Sequence, residues 1–281
     1  QRGFRSCSLP LSTTEGRPFL AYRGQHYLLF RWIEGERASF TRRAELVASC
    51  RTLARFHAAA RGFQTEEPGG HFHSLQRLLS SFACRQYELE ESLRFIEKSE
   101  PIATLWPAVT YHLALASFAR RLLGPLKAQE GIFAEDCLCH NDVAARNFIL
   151  TPEGEAALID FDAMRRAPPL FDLWKIFRRA LVRLDWSFEA GLAMLEAYEG
   201  ISPLSPAELL ALLALLAFPH KLWRLGRRFR KAEEEKEKQK YARRIRRLCA
   251  QTRSYGNFLT HLADLCRSKG ATIEGMPVLE D

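Results

Sequence analysis

Residues 139–162 constrain this chain more than any other stretch. Cys-His-Asn-Asp-Val-Ala-Ala-Arg-Asn, ending at Asn147, is followed by two short apolar runs, Phe148–Leu150 and Ala156–Ile159, and then by Asp160-Phe161-Asp162. The connection between the runs is Thr-Pro-Glu-Gly-Glu. Two apolar runs of this length with Pro and Gly between them predict a β-hairpin. Cys137–Cys139 reads as a short strand before it, and Asn141–Asn147 is too polar and irregular to be one. A hairpin returns the chain on itself, so the spacing predicts Asp160 beside Asn147 and Asp142. Carboxylates with an amide oxygen make the hard-oxygen set that holds Mg²⁺. A further carboxylate can accept a proton from a hydroxyl, and phosphoryl transfer needs both parts. Singly, each residue is an ordinary turn former or cap; their joint spacing carries the reading.

The 281-residue chain can bury its own core without disulfide staples. Its seven cysteines are an odd number in a long chain, which favours free thiols in a reducing compartment. Cys137-Leu138-Cys139-His140 invites a zinc reading, but the sequence shows no second closely spaced pair to complete the ligands. Gln1–Pro10 has charge and no apolar run of the kind a secretory leader carries. Leu209–Phe218 is about half of a membrane span and is expected to be a buried helix, with no membrane partner. The net charge of +8 is local: Lys221–Arg247 holds 13 Lys/Arg against 4 Asp/Glu, and the remainder is close to neutral.

Along the chain, Pro18–Tyr22 and His26–Trp32 read as strands joined by a loop at Arg23–Gln25. Leu46, Cys50, Leu53 and His57 then repeat as one face of a helix that stops near Gly62. Gly62–His73 is expected to be a loop, and helices are expected over Ser74–Lys98 and Ile102–Leu123. Ser205-Pro206-Ala207-Glu208 is a helix start with a capping box, and Pro219 should break that helix. Arg227–Leu248 reads as one long helix of mixed charge, either a solvated face or a surface for an anionic partner. Nucleic acid is not expected there, because no recognition module accompanies the charge.

His-x-Asp-x₄-Asn, a hairpin and Ile-Asp-Phe-Asp together resemble the catalytic and metal loops of kinase-like phosphotransferases. The finer resemblance is to the CotS family of bacterial spore coat proteins, in the aminoglycoside phosphotransferase and choline kinase group. It rests on YLLFRWIEGER as a hinge, LIDFDAM followed by PPLFDL, and AFPHKLWRLGRRF, and it runs over nearly the whole chain. It implies an α+β, protein-kinase-like fold: residues 1–35 as a truncated β-rich N-lobe with its hinge, and residues 36–281 as a large helical C-lobe. It implies Asp142 as the catalytic base and Asn147 and Asp160 as holders of Mg²⁺ on ATP. Asp162 would either support the metal or cap the loop, His140 would hold the loop, and Asp172 would brace it. It further implies synthesis in the cytoplasm, a place in the spore coat, and coat proteins, a nucleotide and a hydroxyl acceptor as partners.

The resemblance stops at the phosphate grip. Such kinases use an N-lobe lysine on the α- and β-phosphates, whereas the first lysine here is Lys98. No glycine-rich phosphate loop precedes the hinge. A fragment of a longer protein and a genuine short form are both open, and in either case this chain is expected to bind Mg-ATP poorly. Three functions follow: a CotS-type kinase-like coat protein, an inactive structural protein of the coat, or a small-molecule kinase for an aminoglycoside, choline-like or sugar-like acceptor.

Overall fold

The structure, a computed structural model, describes residues 3–63, 75–97, 104–126 and 137–279. The loop expected at Gly62–His73 falls almost wholly outside them, as do the expected helix ends at Ser74, Lys98 and Ile102. In chain order the elements are β1 (Leu20–Tyr22), β2 (Gln25–Tyr27), β3 (Glu36–Arg37), α1 (Arg43–Ala60), α2 (Leu75–Glu97), α3 (Trp106–Leu126), β4 (Leu138–Cys139), β5 (Phe148–Leu150) and β6 (Ala156–Leu158). After them come β7 (Arg165–Arg166), α4 (Pro169–Leu181), α5 (Phe188–Glu199), α6 (Pro206–Ala217), α7 (His220–Lys231), α8 (Glu235–Cys249) and α9 (Thr252–Ser268). They fall into two compact units, one of Gln1–Gly70, Asp136–Arg183 and Ala190–Pro203, the other of His71–Glu135, Leu184–Glu189 and Leu204–Asp281.

The first unit holds every described strand. β3, β5 and β6 form one antiparallel sheet, with Arg37 opposite Ile149 and Phe148 opposite Leu158. β4 pairs with β7, bringing Cys139 opposite Arg165. The expected β5–β6 hairpin is present. The N-terminal hairpin is tighter than expected: β2 starts at Gln25, and the turn is Arg23-Gly24 with both φ positive, at 50° and 74°. Two such residues match the right-handed twist of paired strands, which a three-residue loop would not need. Beyond Tyr27 the regular strand ends, although the Leu11 amide donates to Leu29 O at 2.7 Å and the Arg31 amide to Leu9 O at 3.0 Å. On α1, the predicted face of Leu46, Cys50, Leu53 and His57 is buried. Glu45 anchors that helix start, accepting the Ser39 and Phe40 amides at 2.9 Å each. Thr52 donates to Ala156 O at 2.8 Å and ties α1 to β6.

The second unit is helical. Ser205 and Glu208 form the expected capping box of α6, and α6 ends before Pro219 as expected. The last carbonyls of α6 find a substitute donor: the Tyr255 hydroxyl lies 2.6 Å from Leu216 O and 3.0 Å from Ala217 O. Together Pro206–Lys231 has the length and hydropathy of a membrane span, but 78% of its apolar window is buried inside the protein. The basic stretch is not one helix. α7 ends at Ala232, whose ψ of 126° turns the chain out, and α8 starts after Glu234. Leu222, Leu225 and Phe229 on α7 and Ala242, Ile245 and Leu248 on α8 all enter one core with Leu89 and Leu93. A straight helix could not deliver both apolar stripes to the same place, so burial overrides the good helix propensity of the charged residues.

His112 of α3 lies inside this unit, 3.3 Å from the Thr252 hydroxyl and stacked on Tyr255. Burial pushes its pKa from 6.5 down to about 4. Between those values the unfolded chain binds a proton that the folded chain refuses, so stability falls as pH drops through that window. The loss should be on the order of 3 kcal/mol. Urea midpoints at pH 7 and pH 4.5 should differ accordingly in the native protein, and His112→Leu should flatten the difference.

Candidate active site

The loop after β4 is held from below by one carboxylate. Asp172 sits in the first turn of α4, just past Pro168-Pro169, where the helix dipole favours negative charge. Its Oδ2 accepts the His140 amide at 2.6 Å and its Oδ1 the Asn141 amide at 2.9 Å. Burial alone would raise the pKa of this fully enclosed carboxyl. The hydrogen bond from His57 and the charge of Lys175 outweigh burial and hold it below the usual range. The bracing part expected for Asp172 is the geometry observed. His140 is fully buried, its Nδ1 accepting the Asp142 amide at 3.3 Å; the proton therefore sits on Nε2, which donates to Ile159 O at 2.9 Å. That bond joins the loop to the end of β6. Asn141 takes a left-handed φ of 65°, which Asn tolerates better than most residues. Lys175 fixes it there, donating to the Asn141 side-chain oxygen and, at 3.1 Å, to its carbonyl.

Asp142 and Asn147 stand together. Asn147 is buried, and its Nδ2 donates to Asp142 O at 2.8 Å and to Asp142 Oδ2 at 3.1 Å. With the nitrogen so committed, the amide oxygen is the atom left to ligate. Two arginines also grip Asp142: Arg146 on Oδ2 at 2.5 Å and Arg179 of α4 on Oδ1 at 2.9 Å. Partial burial would raise the Asp142 pKa, but Arg179 first and then Arg146 and Asn147 pull it below the ordinary value.

The hairpin carries the second acidic loop back to the first. The Ile159 amide donates to Asn147 O at 3.0 Å, extending the β5–β6 register by one step, and Asp160 is the next residue. Asp160 has a φ of 66°. Asp160 and Asp162 are exposed and line a cleft of about 530 Å³ whose other walls include Phe30, Trp32, Ile33, Ile149, Ile159 and Phe161. Gly35 is required at its rim: its φ is 143°, and a Cβ would lie 2.1 Å from Leu150 O. The oxygen donors of Asn147, Asp160 and Asp162 are of the type that suits Mg²⁺, and the apolar walls suit a flat base. A separate group, His57, Cys139 and Asp172, has its ligand atoms within 4.8 Å of one another, all buried. There the Asp172 oxygens already hold two backbone amides, and the Cys139 thiol donates to Ala167 O at 3.2 Å. The set is structural and is not the all-oxygen chemistry of magnesium.

Sequence reasoning missed Arg146, Arg179, Lys175 and the Tyr198 hydroxyl, 2.8 Å from His57 Nδ1. Arg146 lies four residues after Asp142, but in an irregular loop that spacing does not predict contact as it would on a helix. Arg179, Lys175 and Tyr198 reach their partners only through the tertiary fold.

A small sheet region with a mostly apolar cleft, joined in sequence to long helices, defines an α+β, kinase-like fold. It is similar to an aminoglycoside phosphotransferase from Alicyclobacillus acidocaldarius, with a TM-score of 0.75 at 23% identity over 95% of this chain and 80% of that one. It is also similar to the AMP-bound complex of a spectinomycin phosphotransferase, with a TM-score of 0.54 at 15% identity over 90% of this chain and 79% of that one. At these identities the likeness is one of fold. The phosphotransferase enzyme family model matches residues 10–212, and the chain belongs to that family.

Asp172→Asn turns one acceptor into a donor facing a backbone amide. It should cost about 3 kcal/mol, read as a shift in denaturant midpoint. The loss should be strongly non-additive with His57→Phe, because the two side chains share one buried network.

Proposed function

We propose that this chain is built for ATP- and Mg²⁺-dependent transfer of a phosphoryl group to a hydroxyl. The observation that carries the reading is the juxtaposition of Asp142 with Asn147, one register step from Asp160, at a cleft lined by the hinge. Asp142 is the base. As the acceptor oxygen bonds to the γ-phosphorus, its proton passes to a carboxylate oxygen of Asp142. The bond from phosphorus to the bridging oxygen breaks, its electron pair leaves with ADP, and Asp142 later returns the proton to water. Asn147 and Asp160 would hold Mg²⁺, with Asp162 beside them; the ion, when bound, neutralises charge on the phosphates. The apolar walls at Phe30, Trp32 and Ile33 would take the adenine.

The finer reading is a kinase-like protein of the CotS type. The hinge YLLFRWIEGER, the LIDFDAM–PPLFDL segment and AFPHKLWRLGRRF support it. On that reading the partners are other coat proteins, a nucleotide and a hydroxyl acceptor. A second reading, a scaffold that keeps the fold without the reaction, is favoured by one observation: both oxygens of Asp142 are held by arginines, Arg179 and Arg146. The small-molecule kinase reading draws on the aminoglycoside and spectinomycin phosphotransferases that share the fold.

Asp142→Asn decides between enzyme and scaffold. It should lower phosphoryl transfer at least a hundredfold while leaving the denaturation midpoint within about 1 kcal/mol of the parent. Turnover that survives Asp142→Asn would count against Asp142 as the base. On this 281-residue chain, calorimetry should show Mg-ATP binding weaker than about 100 μM; low-micromolar affinity would contradict the expected lack of a phosphate grip.

A further inference from the structure

The proposed base is not free. Both oxygens of Asp142 are occupied, Oδ1 by Arg179 at 2.9 Å and Oδ2 by Arg146 at 2.5 Å, with Asn147 sharing Oδ2. One carboxylate against two guanidiniums leaves this spot with a surplus positive charge. The surroundings add to it. Lys175 sits one turn before Arg179 on α4, and Arg178 and Arg183 lie on or just after the same helix. The charge of Arg165 on β7 also reaches Lys175. The one acidic residue of α4, Asp172, is enclosed and engaged with backbone amides.

Both gripping arginines reach solvent. The Arg146 side chain is 61% exposed, so water reaches the guanidinium that would have to move. Arg179 is 35% exposed. Its Nη1 is enclosed, so the contact an anion can compete for is the one Nη2 makes with Asp142. A planar guanidinium suits a carboxylate or a phosphate. A cationic acceptor would approach a carboxylate already neutralised twice over.

We propose that the acceptor is an anionic polyhydroxyl compound whose carboxylate or phosphate is taken by Arg146 and Arg179, which releases Asp142 to receive the hydroxyl proton. This rests on the phosphotransferase reading and narrows it. The anion acts twice: it anchors the acceptor and it uncovers the base. No proton or bond changes hands in the exchange, which swaps one set of ion pairs for another. The transfer step is the one given above.

Binding without nucleotide separates this inference from the reading beneath it. Isothermal calorimetry on the full chain would compare sorbitol 6-phosphate, gluconate, sorbitol and kanamycin. The two anions should bind at least tenfold more tightly than sorbitol, and kanamycin should bind no better than sorbitol. A preference for gluconate alone, or for the phosphate alone, identifies which anion the pair is shaped for and supports the proposal equally. Arg146→Gln should weaken the anions about tenfold and leave sorbitol unchanged, and Arg146→Lys should recover part of the loss. Arg146 is largely exposed, so the variant should fold; far-ultraviolet circular dichroism and an unchanged urea midpoint would verify that. Kanamycin binding as well as the anions, absence of any anion preference, or indifference to Arg146→Gln would each overturn the proposal. Anion binding with no γ-phosphate transfer in a later turnover assay would overturn the phosphotransferase reading and leave the anion site standing.

Discussion

Everything in the first unit that resembles an active site hangs on one enclosed carboxylate. Asp172 accepts two consecutive backbone amides, and those amides open the loop that presents Asp142. A charge in a dry interior is costly unless its lone pairs are filled. Here they are filled from three directions: the loop, the His57 ring and, at 3.9 Å, Lys175. The Tyr198 hydroxyl steadies the far side of His57. The network is therefore a chain of partners in which each member fixes the next, from α5 through α1 and α4 to the loop. Its polar groups are costly to bury singly and rigid when joined, which is what a loop needs if it must hold a base within a fraction of an ångström.

Much of this site was legible because its geometry is local. His140, Asp142 and Asn147 share one loop, and the hairpin that follows obeys a period-two register, so counting residues is enough to bring Asp160 back to Asn147. The same holds for the capping box at Ser205 and the break at Pro219, where a single residue type decides the backbone. The N-terminal turn was less legible. Arg23-Gly24 can close a two-residue or a three-residue loop, and only pairing with β1 decides where β2 begins. The break between α7 and α8 was not legible at all. Ala232, Glu233 and Glu234 are good helix formers, and they leave the helix only because two apolar stripes share one core. Arg179 was invisible for a related reason: its partner lies 37 residues away on another element.

The cleft and Asp142 pose different physical problems. The cleft is mostly apolar, with Trp32 at 82% exposure and Phe30 at 48%, and so offers area to a flat ring. Asp142 sits between two guanidiniums, where charge and not area decides what can approach. The two exposed carboxylates of the second acidic loop belong to the cleft lining and give that apolar slot its acidic groups.

The connection between β5 and β6 has a consequence for how this region tolerates change. Pro152 to Glu155 are exposed, Gly154 faces open space, and the turn is closed by its own bonds, Thr151 N to Glu155 O and Gly154 N to Thr151 O at 2.9 Å each. Length within the paired strands is fixed by alternation, since one added residue would turn Asp160 to the wrong face. Length at the tip is not. The tip can therefore be lengthened without moving Asp160, provided that Gly154, whose left-handed φ of 82° closes the turn, is kept.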